Sequence, residues 1–483
     1  MFSRSCGKKT SLGPTAQTLK KVQCKVADRL FDIVVLGAGS GGYAAALRGA
    51  QLGLNVALIE SDKVGGTCLH RGCIPTKAML HAAEVADEVR GAGHVGINAE
   101  LLGIDMDQVN RFKQGVIDRL YKGLSGLVSA RGVELINGHG RLLGPGVVEV
   151  NGQRVEGRNV LVATGSYARS IPGLSIEGRV MTSDQALTMD WVPQNAIVLG
   201  GGVIGLEFAS LWRSFGANVT VVEGLPHLAP NEDEAISKAL ERTYRRRGIA
   251  FKIGAMVKDV TQSDDQATLR LDSGEALSGD VVLVAVGRGP NTAGLGYEEV
   301  GLRMDRGFVL TDDQLRTGIP GIWAAGDIVP GLQLAHRGFA QGIAVAERIA
   351  GINVPALIEA NIPRVTYCDP EIASVGLTEA QAKAAHGTDA IETIEYNLAG
   401  NGRSQVLGTQ GFVKLVRLAG GPVVGMHMIG ARIGELVGSA QLIVNWEAYP
   451  EDVAELVHAH PTQSEAIGEA FMDLAGKPLH SHA

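Results

Sequence analysis

Two features of the sequence predict an α/β fold that contains two Rossmann-like units. Two glycine-rich turns each follow an apolar strand and precede a helix, and an acid stands 23 residues after the first glycine in both. The 483 residues are enough for about three domains. Glycine makes up 65 of them, about 13%, against a usual value of about 7%, which indicates many tight turns and close backbone approaches.

The first unit opens with the apolar run FDIVVL at residues 31–36, which predicts a buried parallel strand. A helix to about Gln51 and a strand over residues 55–59 are expected next, and Glu60 follows them. The helix N-terminus favours a phosphate group, and Glu60 is placed to bond a ribose hydroxyl. The glycines that permit the turn, the approach of a pyrophosphate and tight helix packing are Gly37, Gly39 and Gly42.

The second unit repeats this pattern, with strands expected over residues 196–199 and 217–222 and a helix to about Phe215. A single glycine motif arises easily by chance, but two copies with equal spacing are specific. Glu223 favours NAD over NADP because it would bond the ribose 2′-hydroxyl and repel a 2′-phosphate, and no arginine follows within residues 224–227. The glycines of this turn are Gly200, Gly202 and Gly205.

Cys68 and Cys73 follow the first unit and are interpreted as a redox pair. In a regular helix their Cα atoms would lie roughly 8–9 Å apart, beyond the ~7 Å that a disulfide allows, so we expect a distortion at Gly72. A thiol near a helix N-terminus has a lowered pKa, and Lys77 lies on the same helical face as Cys73. A metal site would need ligands beyond His70, so no metal is expected.

His460 and Glu465, near the C-terminus, form a second candidate for chemistry. A histidine held by a carboxylate can move protons near neutral pH. Thiols must lose a proton before they attack a disulfide. We therefore expect His460 to act as a base that Glu465 orients, and His458 to be structural.

Five motifs, in this order, closely resemble those of the dihydrolipoyl dehydrogenase family, which are pyridine nucleotide–disulfide oxidoreductases: GAGSGGYAAAL, GGTCLHRGCIPTK, GGGVIGLEF, AAGDI and HAHPTQSE. The resemblance runs from about Asp28 to the C-terminus. It implies FAD on the first unit and NAD on the second. By position it also implies that Asp327 binds the FAD ribityl chain and that Glu207 pairs with Lys77. Two interdomain crossings are implied, at residues 163–165 and 286–288, with cofactor contacts at Thr164, Gly165 and Gly287.

The same resemblance implies a domain division and a homodimer. An FAD-binding domain would span residues 29–178 and 289–354, an NAD-binding domain 179–288, and an α+β dimerisation domain 355–483. The last would deliver His460 and Glu465 to the partner subunit. A helix expected over residues 431–446 would either form part of the interface or pack internally.

The implied activity is that of an FAD-containing, NAD-dependent enzyme. It would oxidise protein-bound dihydrolipoamide to lipoamide through a Cys68–Cys73 disulfide and reduce NAD+ to NADH. The implied partner is the lipoyl domain of a 2-oxoacid dehydrogenase or glycine cleavage complex.

Two other functions are compatible with parts of the sequence. One is an NAD(P)H-dependent reductase of low-molecular-weight disulfides, although the basic residues expected after Glu223 are missing. The other is a silent FAD-binding component, against which the retained relay residues argue. His70 and Arg71 depart from the usual Asn-Val of the family and are expected to put bulk and charge beside Cys68.

Charge and hydropathy exclude two classes of partner. The net charge of −7 and the pI near 6.0 argue against nucleic acid, which needs a basic face. No apolar run reaches the ~18 residues of a membrane span, so no membrane is expected.

Residues 1–28 are basic and are expected to be a disordered extension of a cytoplasmic protein. If they are instead a transit segment, the location would be the mitochondrial matrix.

Overall fold

The computed structural model describes residues 29–480. The basic extension expected over residues 1–28 lies outside the described residues. The first sheet is parallel at its centre and ends in an antiparallel edge. Its strands in spatial order are Glu134–Asn137, Val56–Glu60, Leu30–Leu36, Gln153–Val162, Val147–Val150 and Gly140–Gly144, and Ile322–Ala324 also pairs with Gln153–Val162.

The strand Leu30–Leu36 is apolar and buried over its last four residues, where both of its faces are covered. Val34 and Leu36 lie in one buried apolar cluster, whereas Ile33 and Val35 lie in another on the opposite face. This two-sided burial is typical of a central parallel strand.

The second sheet is parallel throughout. In spatial order its strands are Ile249–Lys252, Asn218–Val222, Asn195–Leu199, Val281–Val284 and Val180–Met181. An antiparallel sheet packs beside it, formed by Val257–Gln262, Ala267–Leu271 and Ala276–Gly279. Short antiparallel pairs join Ser166–Ala168 to Arg288–Pro290 and Met304–Asp305 to Phe308–Val309.

The C-terminal sheet is antiparallel. Its strands in spatial order are Arg364–Thr366, Glu371–Gly376, Val423–Gly430, Phe412–Leu418 and Ile391–Asn397. The helices Val437–Asn445 and Glu465–Leu474 pack on it through residues such as Ile443 and Phe471. Helices on an antiparallel sheet make this part of the chain α+β, as expected.

The helices connect and cover these sheets. The α-helices are Ser40–Gln51, Gly66–Arg71, Cys73–Gly91, Met106–Ala130, Ser183–Ala186, Val203–Phe215, Glu234–Arg246, Ala335–Ile349, Glu379–His386, Gly402–Leu407, Val437–Asn445, Pro450–Ala454 and Glu465–Leu474. Short 3₁₀ helices are Ala92–Val95, Gly326–Ile328, Glu359–Asn361, Thr388–Ala390, Leu398–Gly400 and Ile433–Leu436.

One predicted helix, over residues 431–446, is shorter than expected. Arg432 has a positive φ of 57°, and a 3₁₀ turn precedes the α-helix Val437–Asn445. The N–H of Gly434 donates a hydrogen bond of 2.8 Å to Glu371 on the neighbouring strand. This tertiary contact holds the first turn against the sheet, which the local sequence does not reveal.

Candidate active site

The first glycine turn is shaped by packing at two positions and is open at a third. Gly37 has a φ of +99°, and a Cβ there would lie 2.4 Å from the carbonyl oxygen of Ala163. A Cβ on Gly42 would lie 1.8 Å from the oxygen of Gly37. A Cβ on Gly39 would meet nothing within 4 Å. The backbone at Gly39, at the start of the helix Ser40–Gln51, is therefore accessible to a phosphate group.

The second glycine turn has the same design. A Cβ on Gly200 would lie 2.3 Å from the oxygen of Ala285, and one on Gly205 would lie 1.9 Å from the oxygen of Gly200. Gly202 again has open space around the missing Cβ. Both turns thus fit a nucleotide pyrophosphate that approaches the backbone closely.

The two predicted ribose acids also hold the turns in shape. Each carboxylate accepts one N–H from the glycine turn and one from the residue two positions after itself. The donors are Ala38 (2.7 Å) and Asp62 (2.8 Å) for Glu60, and Gly201 (2.6 Å) and Leu225 (2.8 Å) for Glu223. The sequence predicts only the contact with the ribose, because the turn contact depends on how each loop folds back.

The helix that carries the cysteines is interrupted at Gly72, as predicted. One helix, Gly66–Arg71, ends there, and the cysteine helix, Cys73–Gly91, begins at the next residue. Cys68 and Cys73 are free thiols joined by a side-chain hydrogen bond. The break lets the two side chains form this hydrogen bond, whereas a continuous helix would hold their Cα atoms too far apart for a disulfide.

The two thiols differ in acidity. The hydrogen bond from Cys68 lowers the pKa of Cys73, burial opposes this, and the cation of Lys77 lowers it further, to about 7. The same hydrogen bond, followed by burial, raises the pKa of Cys68. Cys73 is therefore the thiol that is ionised near neutral pH, as its place at the helix N-terminus predicted.

Lys77 is bound to Glu207, as the resemblance implied. Its Nζ lies 2.7 Å from both carboxylate oxygens, and the Glu207 side chain is only 3% exposed. The backbone N–H of Tyr367 donates a further bond of 3.0 Å to Glu207, and Lys77 also lies 4.8 Å from the centre of the Tyr367 ring. Sequence reasoning missed Tyr367, since it carries no motif.

His70 and Arg71, which were expected to put bulk and charge beside Cys68, each have a fixed partner in the structure. Arg71 Nη2 lies 2.6 Å from the carboxylate of Asp62. His70 Nε2 lies 3.0 Å from the carbonyl oxygen of Val64, and its ring packs edge-on against Tyr121. Both side chains therefore tie the helix Gly66–Arg71 to residues 62–64, which follow Glu60 in the chain.

The two predicted crossings lie side by side. Asp327 accepts a hydrogen bond of 2.5 Å from Ser166, and Arg288 Nε donates one of 2.7 Å to the same hydroxyl. Thr164 donates a bond of 2.6 Å to the carbonyl of Asn291. The crossing glycines both have positive φ values, +76° at Gly165 and +106° at Gly287. The structure thus gathers Thr164, Gly165, Gly287 and Asp327, and adds Ser166, which the sequence did not indicate.

His460 and Glu465 form the predicted pair. His460 Nδ1 lies 2.8 Å from Glu465 Oε1, and Oε2 accepts the N–H of Thr462 at 2.8 Å. Burial raises the pKa of Glu465, but the Thr462 N–H and His460 outweigh it and the pKa is lowered. The His460 side chain is 76% exposed. Within residues 29–480 no hydrogen bond or ion pair joins this pair to the cysteines.

Comparison with known proteins agrees with this arrangement. The sequence model of the pyridine nucleotide-disulphide oxidoreductases matches residues 31–342, and that of their dimerisation domain matches residues 362–471. Dihydrolipoyl dehydrogenase of Bacillus subtilis (strain 168) is 38% identical over 471 residues, which cover 93% of this chain and 99% of the relative. Mitochondrial dihydrolipoyl dehydrogenase 1 of Arabidopsis thaliana is 36% identical, with 93% and 91% covered.

Solved structures give the same result. LpdA of Mycobacterium tuberculosis superposes with a TM-score of 0.85 at 30% identity and covers 92% of this chain and 99% of its own. The HOCl-induced flavoprotein disulfide reductase RclA of Escherichia coli gives 0.81 at 25% identity, with 91% and 99% covered. The predicted fold class is confirmed. The chain belongs to the pyridine nucleotide-disulphide oxidoreductase family, within its dihydrolipoyl dehydrogenase group, whose members use FAD and NAD(H).

Proposed function

We propose that this chain is a dihydrolipoyl dehydrogenase that oxidises protein-bound dihydrolipoamide to lipoamide and reduces NAD+ to NADH. The observation that carries the proposal is the Cys73 thiol of lowered pKa, hydrogen-bonded to Cys68 and beside Lys77, which the buried carboxylate of Glu207 holds. A thiol of this kind is a good leaving group and a stable thiolate near neutral pH.

The cofactor sites are assigned residue by residue. The first turn, Glu60, the crossing residues and Asp327 would hold FAD, and the second turn with Glu223 would hold NAD. When bound, FAD supplies the route by which an electron pair leaves the dithiol and reaches NAD+ as hydride. The open backbone at Gly39 and Gly202 supports both sites.

We also propose the domain division given above, at residues 29–178 with 289–354, 179–288 and 355–483.

The thiol chemistry follows from the protein's own side chains. His460, oriented by Glu465, removes a proton from one substrate thiol, and the thiolate attacks the Cys68 sulfur of the oxidised pair. The Cys68–Cys73 bond breaks, and Cys73 leaves as a thiolate that Lys77 stabilises. The second substrate thiol then loses its proton and attacks the substrate sulfur of the mixed disulfide, so that Cys68 leaves and takes up a proton, and the cyclic disulfide is released. The substrate loses two electrons and the cysteine pair gains them.

The partners follow from the same assignment. The match to the dimerisation domain supports a homodimer. We propose that each subunit lends His460 and Glu465 to the cysteines of its partner, and that a lipoyl domain of a 2-oxoacid dehydrogenase or glycine cleavage complex delivers the substrate.

Across residues 29–480, no helix is both long and apolar enough to cross a membrane. We propose a cytoplasmic location, or the mitochondrial matrix if residues 1–28 act as a transit segment.

The test compares two substrate pairs on the purified holoenzyme. We expect turnover of dihydrolipoamide with NAD+ to exceed that of glutathione disulfide with NADPH by several orders of magnitude. The Cys73→Ser variant should keep its flavin but lose the dithiol reaction. A preference for glutathione disulfide and NADPH would favour the reductase alternative, to which the likeness to RclA at 25% identity lends some support.

A further inference from the structure

Arg247 stands just after the helix Glu234–Arg246 and makes an unusual number of polar contacts. Its Nη1 donates bonds of 2.8 Å to the Ser210 hydroxyl and to the Asp369 carbonyl. Its Nη2 donates to the Ser214 hydroxyl at 2.9 Å and to the Asp87 carboxylate at 3.2 Å. Its Nε lies 3.3 Å from the Asp369 carboxylate, and the side chain is largely buried.

These partners also bind each other. Ser214 donates a hydrogen bond of 2.5 Å to Asp87, and the N–H of Asp369 donates one of 3.0 Å to Ser210. We call these five residues the Arg247 network. A guanidinium that uses its planar fork on several elements at once fixes their separation more tightly than single contacts do.

The elements that the Arg247 network joins each carry part of the candidate site. Asp87 lies on the cysteine helix, ten residues after Lys77. Ser210 and Ser214 lie one and two turns beyond Glu207 on the helix Val203–Phe215. Asp369 lies two residues after Tyr367, whose N–H donates to Glu207.

Glu207 joins the same elements at the site itself. It lies on the helix Val203–Phe215, binds Lys77 from the cysteine helix and accepts the N–H of Tyr367. A buried ion pair is stable only with good geometry and satisfied hydrogen bonds. The position of Lys77 therefore depends on how these elements are held.

We propose that Arg247 is a positioning residue for the Lys77–Glu207 pair, acting through the Arg247 network to hold the cysteine helix, the Glu207 helix and residues 367–369 together. Arg247 takes no part in proton or electron transfer. A kinetic test of this role rests on the proposed function. A second test, the alkylation of Cys73, needs no substrate and does not depend on that function.

The kinetic test is a double-mutant cycle in the holoenzyme with dihydrolipoamide and NAD+. Arg247→Met should lower kcat by roughly tenfold, since small displacements of catalytic groups are costly, and leave the KM for NAD+ unchanged. In a Glu207→Gln background the same change should cost less than about twofold, because the pair to be positioned is already lost. Equal losses in both backgrounds, or a lower melting temperature with unchanged kcat, would overturn the proposal.

Two variants make the cycle decisive. Ser214→Ala removes only the hydroxyl between Asp87 and Arg247 and should lower kcat by about two- to threefold. This milder variant replaces Arg247→Met in the cycle if Arg247→Met does not fold. Arg246→Met removes the neighbouring, exposed arginine, which contacts Gln410, and should behave as wild type.

The second test measures alkylation of Cys73 by iodoacetamide against pH, in a Cys68→Ser background and read on the Cys73 peptide. The groups that face Cys73 are Cys68, Lys77 and Glu207. A displaced Lys77 stabilises the thiolate less, so Arg247→Met should raise the midpoint of the pH profile. An unchanged midpoint would overturn the positioning role. If wild type fails to oxidise dihydrolipoamide, the proposed function fails while this measurement still decides the role of Arg247.

Discussion

At the scale of single residues, the site depends on charges placed against sulfur. Cys73 has a pKa of about 7 because Cys68 donates a hydrogen bond to it and Lys77 stabilises its anion, against the effects of burial and of Glu207. Glu207 in turn holds Lys77 in place. Each of these effects is open to measurement on one side chain.

Lys77→Met should raise the pKa of the Cys73 thiol by about one unit, because a nearby opposite charge has been removed. Less thiolate would then be present at pH 7, and alkylation of the reduced protein would slow. The measurement is the rate of iodoacetamide labelling of the Cys73 peptide between pH 5 and pH 9. Lys122→Met, which removes an exposed lysine from the helix Met106–Ala130, should leave the profile unchanged.

His460→Gln should lower kcat for dihydrolipoamide at least ~100-fold, as expected for a lost general base. Glu465→Gln should lower it less, because the imidazole remains but is no longer oriented by a carboxylate. The chain offers a matched control in a second histidine–glutamate pair, where His480 Nδ1 lies 2.7 Å from Glu469 of the helix Glu465–Leu474. His480→Gln should retain full activity, and a wild-type rate in His460→Gln would refute the assigned base.

At the scale of elements, the glycines of each turn have two roles, close backbone packing and access for a ligand. The first and third glycines are needed because a Cβ would collide with backbone, whereas the middle one borders open space. The acid at the end of the second strand then accepts one N–H from the turn and one from the residue two positions after itself.

A pair of substitutions in the first turn should separate these roles. Gly42→Ala places a methyl group 1.8 Å from the oxygen of Gly37 and should destabilise the fold by several kcal/mol, as overpacking does at a rigid site. Gly39→Ala meets no protein atom, so the free energy of unfolding of the apoprotein should change by less than about 1 kcal/mol. FAD retention on dialysis should nevertheless fall sharply. If Gly39→Ala retained flavin as wild type does, the turn would not be the pyrophosphate site.

At the scale of the molecule, a buried ion pair between Lys414 and Asp233 ties the C-terminal sheet to the start of the helix Glu234–Arg246. Lys414 on the strand Phe412–Leu418 lies 2.9 Å from Asp233 and 2.6 Å from Glu379. Asp233 caps the helix Glu234–Arg246 and its side chain is 2% exposed. Losing one partner of such a group leaves an unpaired buried charge.

Lys414→Met should lower the free energy of unfolding at pH 7 by about 3 kcal/mol. Burial raises the pKa of Asp233, but the bonds from Lys414 and the Glu379 N–H outweigh it, so the pKa lies below its ordinary 3.8. The stabilisation is therefore present above pH 3.8 and is lost as the pH falls through the lower folded value.

The measurement is urea unfolding of wild type and Lys414→Met from pH 7 to pH 3. The difference in free energy should shrink below about pH 4, the ordinary range of the carboxyl group. Lys383→Met removes the more exposed partner of Glu379 and should cost less than about 0.5 kcal/mol. A difference between wild type and Lys414→Met that did not change with pH would contradict the ion-pair interpretation.

The sequence by itself determined the features that depend on residues close to one another along the chain. Both glycine turns, the strands and helices around them and the break at Gly72 were predictable because local backbone geometry dictates those residue types. The cysteine pair and the His460–Glu465 pair, each within six residues, were found in the same way. Glu207 and Asp327 were reached only through resemblance, since no local pattern marks them.

Tertiary structure alone decided which distant groups meet. Lys77 and Glu207 are 130 positions apart, and Ser166 and Asp327 are 161 apart. The direction of His70 and Arg71, the shortened helix at Val437–Asn445 and the contacts of Arg247 follow from packing between such segments. Side-chain partners of this kind depend on the fold of the whole chain, because a rotamer is chosen by the surfaces that surround it.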